Sequence, residues 1–112
     1  MKFNLYCRFG EILITIVDDY DVFLKLCKKH YDADLPQGSR THKGMQCNDI
    51  VYVKDPLDMA TFGHEIIHAI DYYMEKRVFL INDTEVRAHL FSLFYEMYQK
   101  RISKIKQHKR KK

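Results

Sequence analysis

The rhythm of apolar and polar positions changes several times along the chain. It begins with a period of two: Phe3, Leu5 and Cys7 alternate with Asn4, Tyr6 and Arg8, which predicts a strand over residues 2–8. Gly10 suits a tight turn, and the β-branched run ILITIV at residues 12–17 predicts a second, more buried strand. Asp18 and Asp19 offer caps for a helix. In that helix Val22, Phe23, Leu26 and Cys27 recur at helical spacing, while Lys25, Lys28 and Lys29 make the wet side; it ends near Tyr31. Residues 33–46 are polar, carry Pro36, Gly38 and Gly44, and read as a loop. The short strand IVYV at residues 50–53 has polar flanks, the profile of a sheet edge.

The second half of the chain is helical. Asp55, Pro56 and Asp58 form a start signal, with Asp55 as cap and Pro56 in the first helical position. The helix runs to about Lys76, and its apolar face is Met59, Phe62, Gly63, Ile66, Ile70 and Tyr73. After a break over residues 78–83, a long helix starts near Thr84, with Asn82 or Asp83 as cap. It presents Val86, Leu90, Leu93, Phe94 and Met97 and reaches Ile102 or Ile105. The sum is an α+β domain: a small sheet packed on one helix, supported by a second long C-terminal helix.

Composition narrows the function classes. A chain of 112 residues has room for one core. It has no glycine-rich phosphate loop, which excludes Rossmann and P-loop readings. Its longest apolar run is far too short for a membrane span, and no signal-peptide pattern opens it. Cys7, Cys27 and Cys47 are odd in number and form no C-x-x-C, so reduced thiols in a cytoplasmic protein are the expectation. Charge is unevenly spread. Of the 19 Lys and Arg, eight fall in residues 100–112, which hold no acid; the other 11 face 15 acids, a body charge of −4. This divides the chain into a mildly acidic domain, residues 1–99, and a basic C-terminal helix end, residues 100–112.

The chemistry centres on His64-Glu65-Ile66-Ile67-His68, an H-E-x-x-H in mid-helix. Residues four apart lie one turn above each other, so two imidazoles can grip one metal ion. Glu65 projects beside the metal, where it can take a proton from bound water. A hydrolytic zinc needs a third protein ligand and one open position. Glu85, near the start of the following helix, is the first candidate. His89, one turn beyond it, is the alternative. Asp71, three residues past His68, is better placed to accept the free ring hydrogen of a ligand histidine.

His64-Glu65-Ile66-Ile67-His68 followed by Glu85 resembles the zincin metallopeptidase superfamily in its glutamate-ligand branch. It is similar to the short stand-alone H-E-x-x-H domains of bacteriophages and mobile elements. The match covers residues 61–98. The resemblance implies a minimal zincin-like fold, Zn²⁺ held by His64, His68 and Glu85, and Glu65 as general base. In that superfamily the downstream glutamate often has an acidic partner one turn later; here that position is His89, a departure that leaves the third ligand open. The histidine-terminated branch would want a glycine and a third histidine soon after His68, where this chain has Asp71 and Met74.

The expected reaction is zinc-dependent peptide-bond hydrolysis, with His42, Tyr72 or Tyr73 as donor to the developing oxyanion. An extended peptide or protein substrate would lie along the edge strand at residues 50–53. Two other classes stay open: a zincin-fold binding or effector protein without proteolysis, and a basic nucleic-acid-associated protein with a structural zinc. In the last, the basic tail contacts phosphates. It carries no aromatic after Tyr98 for base stacking.

Overall fold

The computed structural model describes residues 1–8, 11–35, 42–76 and 84–110, with side chains through Ile105 in the last helix. The turn expected at Gly10, Pro36 and Gly38, and the caps Asn82 and Asp83, lie outside the described residues. Seven elements follow in order: β1 Lys2–Cys7, β2 Ile12–Val17, α1 Tyr20–Tyr31, β3 Gly44–Cys47, β4 Ile50–Val53, α2 Met59–Lys76 and α3 Thr84–Arg110. The result is a small mixed α+β fold with one four-stranded sheet, ordered β1-β2-β4-β3.

Strand alternation decides which side each residue serves. β1 and β2 pair antiparallel from Lys2↔Val17 to Cys7↔Ile12. Phe3, Leu5, Cys7, Ile12, Ile14, Ile16, Val51 and Val53 form the core with α2 and α3. Val17, Ile50 and Tyr52 join a second cluster with Tyr20, Phe23 and Cys27 of α1, against which Met45 and Cys47 pack. β4 runs parallel to β2, from Thr15↔Ile50 to Val17↔Tyr52. Parallel neighbours need a crossover, and α1 lies within it. Asp19 caps α1 by accepting from the amides of Asp21 and Val22, as the sequence predicts, while Asp18 takes the Met1 ammonium at 2.8 Å.

Two expectations are corrected. Residues 50–53 are not an edge strand: β4 pairs with β2 on one side and β3 on the other, and all four of its residues are buried. The edge on that side is β3, inside the segment read as loop. Its sequence, GMQC, hides the strand, because Met45 and Cys47 pack toward α1 while Gly44 and Gln46 bring no apolar bulk to the opposite face. The second correction concerns the start of α2. Asp55 accepts from the Leu57 amide in a turn, and Asp58 is the cap, receiving both the amide and the hydroxyl of Thr61.

α3 clamps the structure. Leu90, Phe94, Tyr98 and Ile102 recur every four residues and are all buried. Tyr98 stacks on Phe62 of α2, centroids 3.7 Å apart and planes 7° from parallel, and its hydroxyl donates to the Pro56 carbonyl at 2.7 Å. Each large side chain buried this way contributes roughly 1.5–3 kcal/mol. At Gly63 a Cβ would sit 3.7 Å from both Phe91 and Tyr95, ordinary contact distance. The helix continues unbroken across position 100. Ile102 belongs to the core and Arg101 lies over the Phe3 ring at 4.9 Å, so the packed body reaches into the basic segment. Among the described residues no helix is long and apolar enough to cross a membrane.

Candidate metal and hydrolytic site

α2 turns its apolar stripe, Phe62, Ile66, Ala69 and Ile70, into the core. That leaves His64 and His68 on the outer side, both exposed, with ring centroids 4.9 Å apart and planes at 79°. The pair expected from the i, i+4 spacing is therefore formed. Glu65 behaves differently. Its position on the helix points it at β3, and it is 8% exposed, the one buried charged side chain among the described residues. Its Oε1 lies 3.7 Å from His64 Nε2. Desolvation pushes its carboxyl above the ordinary range, opposed by His64, His68 and His42 when these are protonated.

The space for Glu65 depends on Gly44. A Cβ at that position would fall 2.5 Å from Thr61 Cγ2, 3.0 Å from Glu65 Cγ and 3.1 Å from the Tyr52 carbonyl oxygen. Strand and helix thus approach as closely as a hydrogen allows. Between them opens a depression of about 360 Å³ lined by His42, Lys43, Gly44, Ala60, Thr61, His64 and Glu65. The edge of β3 borders it. The Lys54 amide donates to the Lys43 carbonyl at 2.8 Å, and Gly44↔Val53 and Met45↔Tyr52 are paired. Antiparallel ladders alternate, so Gly44 and Gln46 turn their backbone N–H and C=O away from β4, along the open side.

The other candidates are distributed more widely. Asp71 is bound by Arg87 of α3 through Nε at 2.6 Å and a second nitrogen at 3.1 Å. Its carboxylate thus serves a helix-to-helix link. Glu85, in the first turn of α3, and His89 are exposed. Among the described residues no three His, Cys, Asp or Glu side chains converge on one point, so neither joins the histidine pair. Of the three expected oxyanion donors, His42 lines the depression. Tyr73 instead donates its hydroxyl to the Leu13 carbonyl at 2.8 Å and lies 3.2 Å from Asp49 Oδ2. Tyr72 meets Tyr31 edge-on and carries Lys76 over its ring.

Sequence reasoning passes over Gly44, Thr61 and Asp49. Asp49 sits in the two-residue β3–β4 turn, after Asn48 in the left-handed region at φ 54°. It receives the Tyr31 hydroxyl and lies close to that of Tyr73, tying the end of β3 to α1 and α2. The Asn-Asp dipeptide before IVYV is the turn signal that could have disclosed both the hairpin and β3.

The site's donor chemistry suits zinc in part: two imidazoles on one face and a desolvated carboxylate beside them, with the third ligand still to be supplied. Compared with family models, curated proteins and solved structures, the chain matches none.

Proposed function

We propose that this chain is a small zinc-dependent metallopeptidase of zincin type. The observation that carries the reading is the Glu65 carboxylate, buried and turned to within 3.7 Å of His64 Nε2 on a helix that also presents His68. His64 and His68 hold the ion, and Glu85 is the third ligand. Arg87 moors the first turn of α3, which carries Glu85, to Asp71, three residues past His68. Zinc, when bound, supplies Lewis acidity and a water acidic enough to be deprotonated near neutral pH. Glu65 takes the proton from the attacking water and passes it to the leaving amine. The outward N–H and C=O groups of Gly44 and Gln46 pair an extended substrate, and His42 donates to the developing oxyanion.

The test is metal content measured beside cleavage of a peptide library. The protein should hold about one zinc per chain. His64→Ala and His68→Ala should each abolish binding, and Glu65→Gln should keep zinc while losing hydrolysis. A second reading, a zinc-holding binding protein without proteolysis, is favoured by one observation: Glu85 and His89 stand exposed and apart from the histidine pair. Stoichiometric zinc with no cleavage of any library member would select it.

A further inference from the structure

The C-terminal half of α3 presents a cationic surface that the hydrolytic reading does not use. The helix continues without a break through Arg110, so the basic positions of residues 100–110 stand on one rod about 16 Å long at 1.5 Å per residue. The rod is fixed to the body. Ile102 is buried, Ile105 packs against the core, and Arg101 lies over Phe3. Lys100 is 74% exposed at its side chain, and Lys104 is also exposed. Together with Gln99 and Ser103 they line a hollow of about 710 Å³ whose other walls are Leu57, Met59, Ile102 and Glu96. Two ammonium groups, an amide and a hydroxyl on successive turns are the donors that phosphate oxygens accept from.

We propose that this face of α3 binds the phosphate backbone of double-stranded nucleic acid, without reading its sequence. A duplex presents one charge per roughly 1.7 Å of axis, dense enough to meet several cations of a 16 Å rod at once. Three observations set this partner above others. The two apolar residues after Lys100, Ile102 and Ile105, are both engaged with the core, so the helix has no greasy face to lay into a bilayer. No aromatic follows Tyr98, which disfavours stacking on unpaired bases. The body's 15 acids against 11 bases leave it net negative, so the chain's densest positive charge is on the rod. Glu96, 3.5 Å from Lys100, marks where the track ends.

The experiment is fluorescence anisotropy of a labelled random-sequence duplex titrated with the full chain at several salt concentrations. Binding is expected with Kd of about 1–100 µM at physiological salt. Replacing Lys100 and Lys104, the two cations that line the hollow, together by Gln should weaken it about tenfold and reduce the slope of log K against log salt by about 2. Glu96→Gln should tighten it. Circular dichroism confirms that each variant is folded; these positions avoid Arg101 and Ile102, which pack. No binding at about 50 mM salt, an unchanged slope in the double variant, or tighter binding to a single strand or to phosphatidylserine vesicles than to the duplex would each overturn the proposal. Zinc content and Glu65-dependent cleavage are separate readouts, so failure here leaves the hydrolytic reading standing, and the reverse.

Discussion

Gly44 and Asp58 hold the candidate site from two sides, and each can be tested alone. A methyl group at position 44 has nowhere to go, with Thr61 Cγ2, Glu65 Cγ and a backbone oxygen all in its way. Gly44→Ala is expected to cost about 1–3 kcal/mol in chemical denaturation, the range for overpacking a tight contact. Adding Thr61→Ser removes the nearest obstacle while keeping the hydroxyl that bonds Asp58, so the double variant should recover part of the loss. Equal stability of single and double variants would place the strain elsewhere. Asp58 is held below the usual carboxylate range by the Thr61 hydroxyl and then its amide. A depressed folded pKa means this cap stabilises fully above the ordinary carboxylate pKa and loses its effect as pH falls through the lowered value. Asp58→Ala should therefore melt lower than the parent at neutral pH, and the gap should close as pH falls below the ordinary carboxylate range. At this scale the sequence is informative for His64 and His68, whose spacing alone makes them neighbours. It is silent on the burial of Glu65, because that burial comes from a strand 20 residues upstream.

Helices and strands carry the next set of consequences. The Asp71–Arg87 pair binds α2 to α3, yet its side chains are 38% and 42% exposed, so its worth is of order 0.5–1 kcal/mol after screening. Its larger effect is to hold the first turn of α3 beside α2. In zinc titrations Glu85→Ala should weaken affinity by more than about 100-fold and Asp71→Asn by about 10-fold, while His89→Ala changes it less. A larger loss in His89→Ala would exchange the ligand. Most elements are legible because their periodicity is strong. β1 and β2 alternate or run β-branched, α1 has Asp19 as its cap, and α3 buries Leu90, Phe94, Tyr98 and Ile102 at steady intervals. β3 has no period of its own, with one glycine and one glutamine among its four residues, and only the Asn48-Asp49 turn after it gives a signal. Its omission then misplaces β4 at the edge. The α2 start slips three residues because Asp55 and Asp58 are both competent caps; Asp55 closes a turn whose Pro56 carbonyl accepts from the Tyr98 hydroxyl, and Asp58 caps the helix.

For the molecule as a whole, the site and the core are separate. The cluster of β1, β2, β4, α2 and α3 closes on apolar side chains, with His64 and His68 outside it. Chelation of zinc should therefore leave a cooperatively folded protein. Saturating metal should raise its stability only by mass action, about 2.7 kcal/mol at a hundredfold excess over Kd, which calorimetry with and without chelator measures. A chain that unfolds on chelation would make the metal structural. The same arrangement bears on how the protein is made. The sheet is complete once Val53 has left the ribosome, but the face bearing Phe3, Leu5, Ile14, Ile16 and Val51 has no cover until α2 and then α3, as far as Ile102, have followed. At roughly 5–20 residues per second, the nascent chain carries that naked face for seconds. α3 is a lid on strands translated well before it, so the core closes only after Ile102 has emerged, and chaperone capture in that interval competes directly with the docking of Tyr98 on Phe62.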